Sequence, residues 1–420
     1  MSEFKNLPSG WKVVRLGDVC DFYKGKGISK DDISENGIFC IRYGELYTTY
    51  SEKIDKIYSK TNLNTDELFL SKCNDIIIPC SGETAQDIAK ASCVLLDGIA
   101  LGGDLNVLRT LENGIFLSYY LNVIAKKDIA KIAQGVSIVH LYASELKNLK
   151  IKIPPVDEQK KIVEILSTWD EAINLTINLI ESKKQFKKAL MQNLLTAKIR
   201  FPQFKDEWQN EKLNKVTFFQ EGPGVRNTQY KKEGIKLLNV GNLNNNTLNL
   251  NTTTTYISET EAYGAYKHFL IDDGDLLISC SGINSASFKN KIAFAEKKDL
   301  PLCLNTSTMR FKSLDDRLLL KYLYYFFQTI YFERQVLGVL TGSAQFNFGP
   351  THIKWFKIKL PNLKEQQKIV EVLTACDDEI NLLNLKLENL KKQKQGLMQK
   401  LLSGNIRTKV KGGKNVKMDD

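Results

Sequence analysis

The 420-residue sequence predicts an α+β protein built as a tandem duplication: two similar mixed α/β domains, each followed by a long helix. Two observations carry this reading. The segment IPPVDEQKKIVEIL (153–166) returns as LPNLKEQQKIVEVL (360–373), 207 positions later, and a repeat of this size organises a chain before any local signal does. At that offset 154–200 aligns with 361–407 without a gap, and about half of the 47 positions are identical. Within both copies apolar residues recur at alternating steps of three and four, the 3.5-residue period of a coiled-coil seam.

The domains repeat more loosely. Trp11, Leu16 and Val19 match Trp208, Leu213 and Val216 at an offset of 197, and NDIIIPCSG (74–82) matches GDLLISCSG (274–282) at 200. IFCIRYG (38–44), DIIIPCSG (75–82) and CVLLDG (93–98) read as short strands closed by turn residues, with IKLLNVG (235–241) and DLLISCSG (275–282) as counterparts. Residues 116–133 and 317–337 have helical spacing. The expected organisation is a first domain over 1–153, a central helix over 154–200, a second domain over 201–360, a C-terminal helix over 361–407 and a flexible, aperiodic tail over 408–420.

In the first helix the seam runs through Ile162, Leu166, Trp169, Ile173, Ile180, Leu190 and Leu194. In the second it runs through Ile369, Leu373, Ile380, Leu383, Leu387, Leu390, Leu397 and Leu401. Each helix begins after a proline; Asn362 followed by Glu365 fits a capping box, whereas Pro155 can only start its helix. About forty residues at ~1.5 Å each give a rod of roughly 60 Å. Acid comes early in each rod (Glu164, Asp170, Glu171; Glu371, Asp377, Asp378, Glu379) and base late (Lys183, Lys184, Lys187, Lys188; Lys391, Lys392, Lys394). That order suits each helix dipole. It also pairs acid with base if the two helices form an antiparallel coiled coil with pseudo-twofold symmetry.

Composition narrows the function. The net charge of +11 suits a polyanion partner, but it is unevenly placed: 1–150 carries −1 and 201–360 carries +5. If both domains bind nucleic acid, the first must do so through a local basic face. No apolar run is long enough to cross a bilayer and the N-terminus lacks a signal-peptide core, so a cytoplasmic protein without membrane contact is expected, its eight cysteines reduced and mostly buried. No CxxC occurs and there are three histidines (His140, His268, His352), which argues against a structural metal site.

A reaction centre is hard to find. There is no GxxxxGK[ST] loop, and Ser81 and Ser281 lack the GxSxG frame of a nucleophile elbow. Asp272, Asp273 and Asp275 precede a strand, with Lys289 and Lys291 downstream, but the other repeat keeps only Asp75, so a metal nuclease is not supported. Two diverged domains on two preserved rods suit the reading of two different short DNA sequences at a fixed separation. A coiled-coil scaffold, or a nonspecific DNA-binding protein without a role in modification, is the alternative.

The sequence resembles the specificity subunits of type I restriction–modification enzymes. The likeness lies in PPVDEQKKIVEIL and PNLKEQQKIVEVL, the openings LPSGWKVVRLGDV and FKDEWQNEKLNKV, the strands NDIIIPCSG and GDLLISCSG, and GSAQFNF (342–348); it extends to about Arg407. The resemblance implies two target-recognition domains that each bind half of a bipartite site in double-stranded DNA. It implies helices that space the domains and dock two methyltransferase subunits, and a separate restriction (motor) subunit. The chain itself is then non-catalytic. S-adenosylmethionine belongs to the methyltransferase, and ATP and Mg to the motor.

DNA contacts are expected from basic and polar loops, which grip phosphates and read base edges. The candidates are Lys24, Lys26, Lys30, Arg42, Tyr43 and the 81–84 loop with Ser81 and Thr84 in the first domain. In the second they are Arg226, Asn227, Lys231, Lys232, Asn242, Ser281, Asn284, Lys289, Gln345 and Asn347. If the rods act as a ruler, inserting one helical turn near 195–198, ~6 Å, changes the unread gap between the half-sites and neither half-site. Determining the methylated motif before and after insertion checks this; altered half-sites would refute the ruler.

Overall fold

The computed structural model describes residues 7–281, 288–339 and 347–408. Its two long helices run Val156–Leu195 and Leu363–Leu402. The chain divides into two compact units, and the division falls inside both helices: one unit holds residues up to Ile177 and from Leu385 onward, the other Asn178–Asn384. Each unit therefore combines one domain, the first half of the helix that follows it and the second half of the other helix.

In the first unit, strand Lys12–Arg15 pairs antiparallel with Lys150–Ile153, which closes the domain and delivers the chain into its helix. Asp75–Pro79 is buried at all five residues, which is why Ile76–Pro79 reads as an unbroken apolar run and not as an alternation. It lies between Leu105–Thr110 and Ser92–Val94 in a five-stranded sheet whose edges are Cys20–Lys24 and Lys53–Ile54. A second five-stranded sheet includes Ile38–Ile41 and Ala100–Leu101, paired in parallel. The helical stretch at 116–133 forms two helices, Gly114–Val123 and Lys126–Ile132, the first capped by Asn113 Oδ1 accepting from the Phe116 N–H at 2.9 Å. Ile76, Ile78, Leu108, Phe116 and Tyr119 pack with Ile162 and Leu166 and with Met398, Leu401 and Leu402 in one core.

The second unit repeats this plan. Gln209–Lys212 pairs with Lys357–Leu360. Leu276–Ser279, fully buried, lies between Thr308–Ser313 and Ile292–Phe294. Residues 317–337 again break into two helices, Leu320–Phe327 and Ile330–Leu337, the second capped by the Thr329 hydroxyl. An aromatic core of Phe311, Tyr322, Phe326, Phe327, Phe332 and Phe356 packs against Ile369 and Leu373 and against Met191, Leu194 and Leu195. All the seam positions expected from the sequence are buried or half-buried.

Polar contacts hold the helices to the domains, and they recur in both units. In the first, the buried Glu158 carboxylate accepts from Trp11 Nε1 at 3.2 Å and from Arg407 Nε and Nη2 at 2.7 and 2.8 Å. Asp170 accepts from the Tyr119 hydroxyl and from Lys394. In the second, Glu365 accepts from Trp208 Nε1 at 3.0 Å and from Arg200 at 3.0 and 2.8 Å, and Asp377 accepts from Tyr325 at 2.8 Å and from Lys187. In each unit the early acids of one helix meet the late bases of the other, so the two segments run antiparallel. The phenol of Tyr119 is pushed well above its ordinary value, first by burial and then by its bond to Asp170, so it serves as a donor.

Glu365 corrects the capping-box expectation. Asn362 Oδ1 does accept from the Glu365 N–H at 2.9 Å, but the Glu365 carboxylate turns to Arg200 and Trp208 instead of back to the cap. A glutamine follows each of these acids: Gln159 and Gln366 are both buried and accept from the N–H of Asn113 and Leu319 at 3.0 and 2.8 Å. They tie the helix start to the loop ahead of the domain's own helices.

A second buried pair braces each sheet. Arg109 Nε and Nη2 donate to the two oxygens of Asp75 at 2.8 and 2.7 Å, and Arg310 Nη1 donates to Asp275 at 3.1 Å. Asp75 is fully buried, so removing it leaves a guanidinium short of its counter-charge. Asp75→Ala is expected to cost about 3 kcal/mol, the low end for breaking a buried pair because Arg109 keeps some contact with water. Urea unfolding of the full chain checks this; a loss below ~1 kcal/mol would refute the bracing role.

Candidate nucleic-acid interface

The loops that carry the candidate residues sit where strands end. In the first domain Lys24 closes strand Cys20–Lys24, and Lys26 and Lys30 follow in the next loop; all three are exposed. Gly25 is needed there: a Cβ would lie 2.0 Å from the Gly102 carbonyl oxygen, so only glycine lets the two loops approach. Tyr43 is 41 % exposed and does not belong to the core. Two of the remaining candidates are engaged locally: the Ser81 hydroxyl donates to Asp104, and the Thr84 hydroxyl donates to Asp87 at 2.6 Å. Arg42 Nε lies 3.9 Å from Glu45, too far for a hydrogen bond, and is buried without a hydrogen-bond partner among the described residues.

In the second domain Arg226, Asn227, Lys231, Lys232 and Asn347 are exposed. Lys231 and Lys232 line a shallow depression with Ser258 and Glu259. Lys289 pairs with Glu333 at 2.5 Å, and Ser281 is half-buried. Asn284 and Gln345 lie outside the described residues.

Asn242 is a correction. It is 3 % exposed, its Nδ2 donates to the Asn249 carbonyl at 3.0 Å and the Thr253 hydroxyl at 2.8 Å, and its Oδ1 accepts from the Asn239 N–H at 2.8 Å. With its amide satisfied inside the turn it has nothing to offer DNA.

Around two of the expected residues, Lys24 and Lys289, the fold gathers others that the sequence does not single out as DNA contacts. Strands Ser81–Gly82 and Val139–His140 pair, and beside them a cleft of about 310 Å³ is lined by Lys24, Asp104, His140, Tyr142 and Lys147 among others. These positions are scattered over 124 residues, and no periodic signal links them. In the second unit Lys184, Lys188, Asn245 and Asn246 line another polar cleft with Lys289.

Two of the three acids considered for metal chemistry are occupied otherwise: Asp272 and Asp275 both pair with Arg310 and Lys312. Among the described residues no group of three or more His, Cys, Asp or Glu is arranged to hold a metal ion. The eight cysteines are free and five are buried; burial pushes the thiols of Cys20, Cys93 and Cys303 up to about 12, which leaves them protonated and unreactive at neutral pH. Among the described residues no helix is long and apolar enough to cross a membrane.

The family model described as the type I restriction modification DNA specificity domain matches twice, over residues 8–183 and 205–392. The chain belongs to this family. It is the specificity subunit of a type I restriction–modification system, with two recognition domains. The specificity subunit of type I restriction enzyme MjaVIII from Methanocaldococcus jannaschii is 27% identical over 417 residues, spanning 96% of this chain and 94% of that protein. The EcoKI specificity subunit of Escherichia coli is 22% identical over 423 residues, spanning 95% and 90%. Two solved structures share the fold. The type I S subunit from M. genitalium has a TM-score of 0.55 at 17% identity, over 95% of this chain and 98% of that one. The HsdS subunit from Thermoanaerobacter tengcongensis has a TM-score of 0.52 at 20% identity, over 97% and 100%.

Each of the two matches runs through a whole domain and into the helix after it, so the family unit is the linear repeat, whereas the compact unit borrows half a helix from the other repeat. Asn242 belongs to the scaffold of the second recognition domain. Asn242→Ala is expected to lower stability by ~1–3 kcal/mol, the cost of orphaned buried hydrogen-bonding groups, and to leave DNA affinity at fixed salt unchanged. Urea unfolding and a binding isotherm on the same preparation check both halves of this.

Proposed function

We propose that the two recognition domains of this specificity subunit bind the two halves of a bipartite site in double-stranded DNA, and that the long helices set the gap and dock two methyltransferase subunits. The observation that carries this is the duplicated clamp. Glu158 with Arg407 becomes Glu365 with Arg200, and Asp170 with Lys394 becomes Asp377 with Lys187: one partner gains 207 and the other loses 207. Two diverged domains are thus held by the same device, as a reader of two different sequences at one separation requires.

A second feature supports docking of two copies of one partner. Leu175 and Leu382 occupy the same repeat position and are 61 % and 66 % exposed. Exposure of the same apolar position in both copies gives two copies of one partner equivalent footholds. Restriction subunits join the same assembly. The chain contributes no catalytic group. S-adenosylmethionine chemistry resides in the methyltransferase, and ATP and Mg chemistry in the motor, in keeping with the missing nucleotide-binding motifs of this sequence. The complex works in the cytoplasm, where its DNA is.

On the DNA, exposed lysines such as Lys26, Lys30, Lys231 and Lys232 hold phosphates and fix register, and polar side chains at the loop ends read bases. The test is methylation-sensitive sequencing of host DNA with and without this gene, its methyltransferase partner present. The expected result is a split motif with a fixed gap, methylated at adenine and lost on deletion. An unchanged methylation pattern, with the complex shown to assemble and to bind cofactor, would refute the reading.

A further inference from the structure

The first recognition domain carries almost no net charge, so a local basic face has to be found if it grips DNA. The structure offers one around the segment 134–142. Gln134 and His140 exchange backbone hydrogen bonds at 2.9 and 2.7 Å, which closes a narrow arm. Gly135, at φ 126°, makes the turn; a Cβ there would lie 2.1 Å from the Ile138 carbonyl oxygen, so the arm is tight and only glycine fits. Its base is anchored on the sheet: the Leu141 N–H donates to the Cys80 carbonyl at 2.8 Å, and Asn106 Nδ2 donates to the Leu141 carbonyl at 2.9 Å.

The arm alternates strictly from Ile138. Val139 and Leu141 are buried in the core, and Ile138, His140 and Tyr142 project outward together, as strand geometry requires. His140 and Tyr142 stack with ring centroids 6.2 Å apart at 24°. At the tip Val136 is 98 % exposed and Ile138 60 %. Lys24 and Lys147 flank the same cleft, and Asp104, the one acid on its wall, is engaged by Ser81.

A narrow arm closed by one backbone bridge, with apolar side chains at its tip, a stacked His–Tyr pair behind them and a lysine on each flank, fits a specific surface. The lysines favour a polyanion over a protein patch. The major groove admits a two-stranded ribbon, offers thymine methyl groups to apolar side chains, and presents donors and acceptors to polar ones. We infer that the 134–142 arm is the base-reading element of the first recognition domain. It enters the major groove with Lys24 and Lys147 on flanking phosphates, and Val136, Ile138, His140 and Tyr142 set which bases are accepted. This inference rests on the bipartite reading proposed above.

The test replaces the gene in its host by two alleles, Val136→Ser with Ile138→Ser and His140→Ala with Tyr142→Ala, all at exposed positions, and maps adenine methylation genome-wide. One half of the split motif is expected to relax or change, with the gap and the other half untouched. Purified complex is then challenged with duplexes altered one base pair at a time. Discrimination is expected to fall about tenfold or more at one or two positions of that half only. Where a variant methylates nothing, the same competition decides: equal loss of discrimination in both halves overturns the arm's role. An intact split motif unchanged by both alleles overturns it too. A wild-type host without any split motif refutes the bipartite reading itself, and the arm falls with it.

Discussion

A buried carboxylate at the start of each long helix is the contact on which the rest of the architecture depends. Glu158 and Glu365 are 2 % and 1 % exposed, and each gathers three remote pieces of chain: the tryptophan that opens a domain, the helix that leaves it, and the arginine that ends the other helix. An ionised carboxylate out of water is tolerated only with charge and hydrogen bonds around it. That requirement fixes the register of the helix ends to the domains, because a shift of even one residue would strand the charge. Helices of this composition gain most of their stability from tertiary packing and little from propensity, so the ends must be held for the seam to form along its length.

The clamp also explains why the compact units do not follow the linear repeat. Arg407 lies 249 residues from Glu158, and Arg200 lies 165 from Glu365. Each repeat therefore supplies the closing residue of the other repeat's unit. Helix positions are constrained twice over, once by their own domain and once by the reciprocal partner, whereas the loops at the strand ends answer only to what they bind. The same chain can keep close to half of its helix residues identical between repeats while its domains drift to −1 and +5 in net charge.

Local signals carried a good part of this. The apolar runs at 76–79 and 276–278 lie in the buried central strands, and the three–four spacing marks the buried side of both helices. The order of acid and base along the rods is compatible with the antiparallel pairing seen within each unit, where Asp170 meets Lys394 and Asp377 meets Lys187. Where the reading failed, a distant partner had intervened. Glu365 looked like a capping residue because its neighbour three positions back is an asparagine, yet a guanidinium 165 positions away competes for it and wins. Residues 116–133 and 317–337 have helical spacing throughout, and the fold breaks each stretch into two helices, a break that spacing alone does not mark.

The candidate interface was less legible for another reason: turns bring acids 3 and 23 positions away in the chain onto side chains that a loop would leave free. Ser81, Thr84 and Arg42 looked available in a loop, and the fold gives each an acid nearby. His140 looked incidental in a chain with three histidines, and the strand pair Ser81–Gly82 with Val139–His140 sets it beside Lys24, 116 positions earlier. What the sequence determined by itself was whatever repeats or keeps a local period: the duplication, the strands, the seam and the charge order of the rods. Which side chains meet, which helix half joins which domain, and which polar groups stay free to face a partner were decided only by the tertiary structure. The clamp contacts join residues more than a hundred positions apart, and the polar groups of the loops are settled by turn partners a few positions away; no period in the sequence records either.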